Sequence, residues 1–409
     1  MSHFKYARKE LLVEKSYITN IAKYNKTPFY LYSEKQLKEN FLNFKNDFKD
    51  VNPLICFSVK SNSNIKILSM LGKLGSGADV VSGGELMKVL RSGIKPNKIV
   101  FSGVGKSEEE LKLAIKKRIL LINVESESEA ILINRLSKNL KKKTSIGIRL
   151  NPDIDAKTHK KISTGKAENK FGLSKKNLIF FCKNIKKLSH LELDAISVHI
   201  GSQILSDNPY KKTLIVLEDI LKKIKMPVKY IDLGGGFGIP YQKKERKIKL
   251  NAYSRLVKEF KKKLNCSIIF EPGRLVVGDA GILVSKVQYI KKNGKKFFII
   301  LDAGMNDFMR PALYDAVHNI IPIVKSKTKS TRPVEFVGPI CETTCKFVEY
   351  KNYQKLSEGS LVAITNVGAY GYSLSSNYNT KPLIAEILVN KNKFKIIKKR
   401  QDLLRLIKD

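Results

Sequence analysis

Six short apolar runs close on residues that can do chemistry. ICFSVKSN ends past Lys60, GADVVSGG brings Asp79 and a glycine pair, and IGIRLN brings Arg149. ISVHIGSQ carries His199 and Ser202, YIDLGGGFG a triple glycine centred on Gly235 and ending at Gly236, and IIFEPGR carries Glu271, Pro272, Gly273 and Arg274. A lysine amine partly withdrawn from water attacks an aldehyde to form a Schiff base. A carboxylate holds a protonated ring nitrogen, and an arginine grips a carboxylate through paired N–H bonds. A glycine run lets backbone N–H groups approach an anion because no Cβ intervenes. A histidine at a strand end can stack on an aromatic ring. Cys341, in VGPICETTC beside Glu342, has a thiol able to donate a proton. Each residue also has a plainer reading. Lys60 is one lysine among many, GGGFG a tight turn, Glu271 with Arg274 a surface ion pair, His199 a core residue and Cys341 a buried structural thiol. Taken together, an imine-forming lysine, a glycine cradle, a carboxylate and a histidine point to pyridoxal 5'-phosphate.

Such residues need elements that bring distant positions to one place. Short apolar runs between turn signals read as buried strands. They lie at 54–59, 78–81, 98–101, 120–124, 145–150, 195–199, 230–233 and 267–270. Helix-length stretches separate them, such as 82–93, with a Ser start and a Gly stop. SEEELKLAIKKR has acidic residues in its first turn and basic residues in its last, as the helix dipole favours. Strand and helix alternating over about 250 residues predict an α/β fold, a (β/α)8 TIM-like barrel at 34–284, with chemistry at its C-terminal face. Beyond it, GILVSKVQYIKK, KKFFIILDAG, RPVEFVGPI and later β-rich runs predict a C-terminal antiparallel β domain at 285–409. The segment 1–33, ending in the strand-like TPFYLYS, stands outside the barrel repeat and joins that domain. YQKKERKIKLNAYS reads as a surface connection.

The 409 residues carry 77 Lys and Arg against 37 Asp and Glu, a net charge of +40. That excess raises nucleic-acid binding. The basic residues are scattered, however, as at 141–143, 222–225, 261–263 and 398–400, and there is no tryptophan. Solvated surface is the better reading, with no nucleic-acid partner. Five mostly widely spaced cysteines, an odd number, fit neither a disulfide framework nor a zinc pattern, so no metal is expected and a reducing compartment is. The N-terminus lacks the apolar core of a secretory signal, and no apolar run approaches the roughly 20 residues that span a bilayer. These observations predict a cytoplasmic protein without a membrane partner.

FSVKSN, GADVVSGGEL, RLNPDIDAKTHKKISTGKAENKFGL, HIGSQ, GGGFG, EPGR, DAGMNDFMRPALY, GPICE and GAYGYSLSSNYN occur in this order along the chain. In these motifs the chain resembles the diaminopimelate decarboxylases. They belong to the alanine-racemase-like (fold-type III) pyridoxal-phosphate enzymes, which also include ornithine and arginine decarboxylases. The resemblance implies a carboxy-lyase that converts meso-2,6-diaminopimelate to L-lysine and carbon dioxide, the last step of lysine biosynthesis. It implies that Lys60 forms the Schiff base and His199 stacks on the pyridine ring. Asp79, Ser202, Gly236 and the turn Glu271, Pro272, Gly273, Arg274 would hold the cofactor, with Glu271 at the ring nitrogen and Tyr370 reaching in from the second domain. Arg274, Arg310, Tyr314, Glu342 and Tyr370 would bind substrate. Cys341 would return the proton, entering with Glu342 from the partner subunit of a homodimer with shared active sites. One position departs from the pattern: Cys345 stands where an acidic residue is expected after the Thr pair. Within the class, MNDFMRPALY favours diaminopimelate over ornithine-, arginine- or carboxynorspermidine-type substrates, because buried arginines without a substrate anion are costly. An inactive regulatory homologue and a basic nucleic-acid binder are the readings from other classes.

Overall fold

The computed structural model describes residues 3–156, 162, 164–242 and 244–408. Part of the RLNPDIDAKTHKKISTGKAENKFGL motif therefore lies outside the described residues. The fold divides into two units, one formed by 41–239 with 246–273, the other by 1–40, 240–245 and 274–409. The chain opens with β1 (Phe4–Ala7), β2 (Glu10–Val13) and β3 (Ser16–Tyr17), a small antiparallel sheet, followed by β4 (Phe29–Ser33).

Eight strands then alternate with helices: β5 (Leu54–Ser58), β6 (Gly77–Val80), β7 (Ile99–Phe101), β8 (Leu121–Val124), β9 (Thr144–Leu150), β10 (Leu191–Val198), β11 (Tyr230–Asp232) and β12 (Ser267–Phe270). All pair in parallel and β12 closes on β5, completing the barrel. Cys56, Val100, Leu121, Ala195 and Ile269 pack together as one layer of its core. The strands lie so close that a Cβ on Gly77 would sit 2.2 Å from the Lys98 carbonyl oxygen. A polar layer spans the interior, where Asn123 Nδ2 on β8 donates to Asp232 Oδ2 on β11 at 3.0 Å. Gly147 makes room for it, since a Cβ there would meet Asn123 Oδ1 at 2.2 Å.

Around the barrel, Phe48 and Phe270 approach to 4.4 Å between ring centroids, and Tyr210 stacks on Phe237 at 5.0 Å. These rings fasten the surrounding chain to the barrel, each fully buried Phe contributing roughly 1.5–3 kcal/mol. The helix Glu108–Lys117 begins with a reciprocal capping box between Ser107 and Glu110. In Gly83–Arg91, Ser82 accepts from the Glu85 N–H. Both starts are where the sequence put them.

The other unit is built on β13 (Gly281–Asn293), β14 (Lys296–Leu301), β15 (Ile320–Pro322), β16 (Val334–Val337), β17 (Lys346–Tyr350), β18 (Leu361–Ile364), β19 (Ala385–Asn390) and β20 (Lys393–Lys398). Its main sheet runs β17-β16-β14-β13-β4-β19-β20. β4 supplies the N-terminal strand expected there, antiparallel to β13 and parallel to β19. β14 and β16 also pair in parallel, so the sheet is mixed and only largely antiparallel. Phe29, Leu31, Ile282, Val284, Ile387 and Val389 bury its apolar face. The expected surface connection at YQKKERKIKLNAYS needs correction. Tyr241, Ile248, Leu250 and Tyr253 are buried, Ile248 and Leu250 beside exposed lysines, and a helix already starts at Asn251.

Candidate active site

In the barrel unit, six C-terminal strand ends build one group of polar side chains. β5 runs into a single turn, Val59–Ser61, that carries Lys60. Its Nζ donates to Asp79 Oδ2 at 3.0 Å, just before the end of β6. Ser58 Oγ donates to the same oxygen at 2.6 Å, while Asp79 Oδ1, fully buried, meets no donor among the described residues. Lys60 is thus held by its counter-ion yet keeps an amine with 34% of its side chain exposed.

His199 follows β10 directly. Its Nδ1 accepts from the Gly235 N–H at 3.2 Å, which places the ring proton on Nε2. Burial, then the charges of Lys60 and Arg149, hold this imidazole well below its ordinary pKa, so it is neutral. Arg149, at the end of β9, pairs with Glu125 at 2.8 Å and lies over the Phe171 ring. It thereby braces the strand end beside His199, whose carbonyl it also reaches at 3.4 Å.

After β11 the chain turns through Gly234, Gly235 and Gly236. Gly234 and Gly236 have φ of +64° and +89°, where side chains are strained. A Cβ on Gly235 would lie 2.0 Å from the Glu271 carbonyl oxygen, and one on Gly236 2.3 Å from that of Gly201. The Gly234 N–H donates to Asp232 Oδ1 at 2.9 Å. Ser202, in the loop after β10, donates its N–H to the Ile162 carbonyl at 3.2 Å.

Glu271, just past β12, is buried, and no donor is aimed at its Oε1 among the described residues. Burial first, then Asp232 and Asp79, push its carboxyl far above the usual range; Asp232 is raised by burial too. Glu85 is pushed up to about 7, again by burial. Pro272 accepts from the Ser58 N–H at 3.1 Å, and Gly273 packs where a Cβ would touch Ser58 and Ser61 within 3.0 Å. The turn after β12 is thus fastened to the turn bearing Lys60.

The other unit gathers two guanidinium groups. Arg274 Nη1 donates to the Tyr241 hydroxyl at 2.8 Å and its guanidinium stacks 4.8 Å from the Tyr370 ring. Arg310 stacks 4.7 Å from the Tyr241 ring and donates Nη1–H to His318 Nε2 at 2.8 Å. Both arginines are buried. Tyr370 holds φ of +56°, a strained value for a tyrosine. Tyr314 closes the short helix Arg310–Tyr314. Cys341 and Glu342 are exposed on the loop after β16, and Glu342 accepts from the Thr344 and Tyr378 hydroxyls.

Several plain readings fail on this geometry. Cys341 is not a buried structural thiol, because it is exposed. Glu271 and Arg274 are no surface pair, because both are buried. The turn reading of the glycines is incomplete, since their missing side chains admit Glu271 and Gly201 at close range. Sequence reasoning missed Asp232, Glu85, Asn123, Tyr241 and His318. Asp232 and Asn123 had a signal, being polar residues inside apolar strand runs. Tyr241 and His318 had none in local spacing.

A family model described as "Pyridoxal-dependent decarboxylase, pyridoxal binding domain" matches residues 34–278. A curated diaminopimelate decarboxylase from Aquifex aeolicus is 40% identical over 403 residues, covering 98% of this chain and 95% of that protein. One from Helicobacter pylori is 44% identical over 381 residues, covering 92% and 94%. The solved structure of diaminopimelate decarboxylase from Helicobacter pylori complexed with L-lysine superposes with a TM-score of 0.89 at 42% identity, covering 95% of this chain and 98% of that one. That of the M. jannaschii enzyme in co-complex with L-lysine gives 0.93 at 33% identity, covering 99% and 96%.

Proposed function

The chain belongs to the pyridoxal-dependent decarboxylases, and we propose that it converts meso-2,6-diaminopimelate to L-lysine and carbon dioxide. The observation that carries this reading is the pair of buried guanidinium groups, Arg274 and Arg310. A substrate whose far end keeps a carboxylate satisfies them; a diamine-forming substrate has none there. In this reading the protein acts in the cytoplasm, at the last step of lysine biosynthesis.

The residues fit pyridoxal phosphate. Lys60 offers an amine for its aldehyde, and the glycine turn at 234–236 offers close backbone approach for its phosphate. Glu271, buried with an oxygen that meets no donor, offers an acceptor for its ring nitrogen. When bound, the cofactor supplies an electron sink for the carbanion left by carbon dioxide. Asp79 holds the Lys60 amine in place at the strand end. Burial among Asp232 and Asp79 makes an ionised Glu271 costly unless a cation lies beside it. The same carboxylate therefore favours a protonated ring nitrogen. His199, kept neutral, presents an uncharged ring face. Ser202, Gly236, the turn Pro272–Gly273 and Tyr370 complete the assigned cofactor contacts.

Arg274 and Arg310 are assigned to the far carboxylate, with Tyr314 and Tyr370 beside them, and Glu342 to the far ammonium. Cys341 is assigned to proton return at Cα. Both Cys341 and Glu342 are exposed on this protomer, which suits residues that complete the site of a second copy in a homodimer. The net step breaks the Cα–carboxylate bond and forms a Cα–H bond. The test is carbon dioxide release by the cofactor-loaded enzyme. Turnover of meso-diaminopimelate, with ornithine and lysine at least about 100-fold poorer, is expected for a site that leaves a buried charge unmatched. Turnover of ornithine or lysine with none of diaminopimelate overturns the reading.

A further inference from the structure

We propose that His318 is a positioning residue for substrate selectivity: as a hydrogen-bond acceptor it aims Arg310 while leaving the guanidinium charge for the substrate's far carboxylate. The inference rests on the assignment of Arg310 to that carboxylate.

His318 is 2% exposed, and both of its ring nitrogens are in use. Nδ1 lies 2.8 Å from the Thr365 carbonyl oxygen, which can only accept, so the proton sits on Nδ1. Nε2 is then a lone pair, and Arg310 Nη1 donates to it at 2.8 Å. The ring is wedged edge-on between Phe308 and Tyr241, at 4.7 and 4.8 Å. It can neither flip nor take a second proton without losing one of these contacts. Burial first, then the charge of Arg310 and less that of Arg274, hold it well below the ordinary imidazole pKa.

The chemical identity of the partner decides what Arg310 can still do. A buried carboxylate in this place would orient the guanidinium equally well but neutralise it. An incoming carboxylate would then face a neutral pair and lose its electrostatic gain. Among the described residues no carboxylate forms an ion pair with Arg310. The imidazole and the Tyr241 ring that it touches are both uncharged. Tyr241 does the same for Arg274 through its hydroxyl. Orientation is therefore separated from neutralisation, which suits selection of a ligand by its carboxylate.

The test uses cofactor-loaded enzyme and two competitors, L-lysine, which has the far carboxylate, and cadaverine, which does not. For His318→Leu the expected result is a rise of about 10-fold or more in KM for diaminopimelate and in the lysine inhibition constant, the scale of one lost hydrogen bond to a charged group. Cadaverine inhibition and kcat should change by less than about 2-fold, a pattern that general loss of packing would not give. His318→Gln keeps an acceptor and should restore most of the lysine affinity. Equal weakening of lysine and cadaverine, or unchanged lysine binding by a folded His318→Leu protein, overturns the inference. If Arg310→Met also leaves lysine binding unchanged, the assignment of Arg310 has failed instead.

Discussion

Glu271 bears the costliest negative charge in the barrel group, being buried against Asp232 and Asp79. Its raised pKa has a sign that can be worked out. Above about pH 4.5 the unfolded chain releases this proton while the folded protein keeps it. The folded state then binds more protons, so stability falls as pH rises until Glu271 itself ionises. Glu271→Gln removes that penalty. Without cofactor, the variant should gain on the parent between pH 5 and pH 8 by about 1 kcal/mol or more, read from denaturant unfolding at the two pH values. With cofactor it should lose about 100-fold in kcat, because no anion opposes the ring nitrogen. A variant with the parent's pH dependence would mean that the carboxyl is solvated. His199 stands in the opposite relation: its lowered pKa costs stability as pH falls below about 6.5, where the unfolded imidazole takes up a proton and the folded one does not.

At the scale of elements, the site depends on how closely strand ends approach one another. The turn after β11 is the tightest case. In Gly235→Ala the new methyl would lie 2.0 Å from the Glu271 carbonyl oxygen, which is backbone and cannot swing away. The cost should be about 1–3 kcal/mol of stability, with a drop in cofactor affinity measurable by absorbance titration. Gly105→Ala, which adds a methyl into open space, serves as the control and should change neither. An unchanged Gly235→Ala protein would show that the glycine is dispensable. This scale also explains what the sequence disclosed. Buried strands exclude charge except near their ends, so Lys60, Asp79, Glu271 and the glycine run were conspicuous in their apolar surroundings. β4 was legible for the converse reason, as a strand outside the barrel period. Tyr241 and His318 were not. Tyr241 meets Arg274 and Arg310, both far along the chain, and His318 meets Arg310 from a loop eight residues on, and such pairings leave no periodic trace. Tyr241 was further hidden within a basic stretch whose apolar residues turn inward one at a time.

For the whole molecule, the net charge of +40 defines the problem that chemistry at Lys60 must solve. Amines cover the surface, and any of them reacts with an aldehyde at high enough concentration. Selectivity has to come from the fold. Lys60 is paired with a buried carboxylate, beside a neutral imidazole and a glycine turn, whereas a solvated lysine has only water. Among the described residues no helix is long and apolar enough to cross a membrane. The most direct measurement follows from this contrast. The protein is incubated with one equivalent of pyridoxal phosphate and reduced with borohydride, and the modified lysine is located by peptide mass spectrometry. Lys60 should carry nearly all of the label, and Lys60→Ala protein should take up almost none and release no carbon dioxide from diaminopimelate. Label spread over surface lysines, or undiminished turnover by Lys60→Ala, would contradict the assignment of this barrel end as the active site.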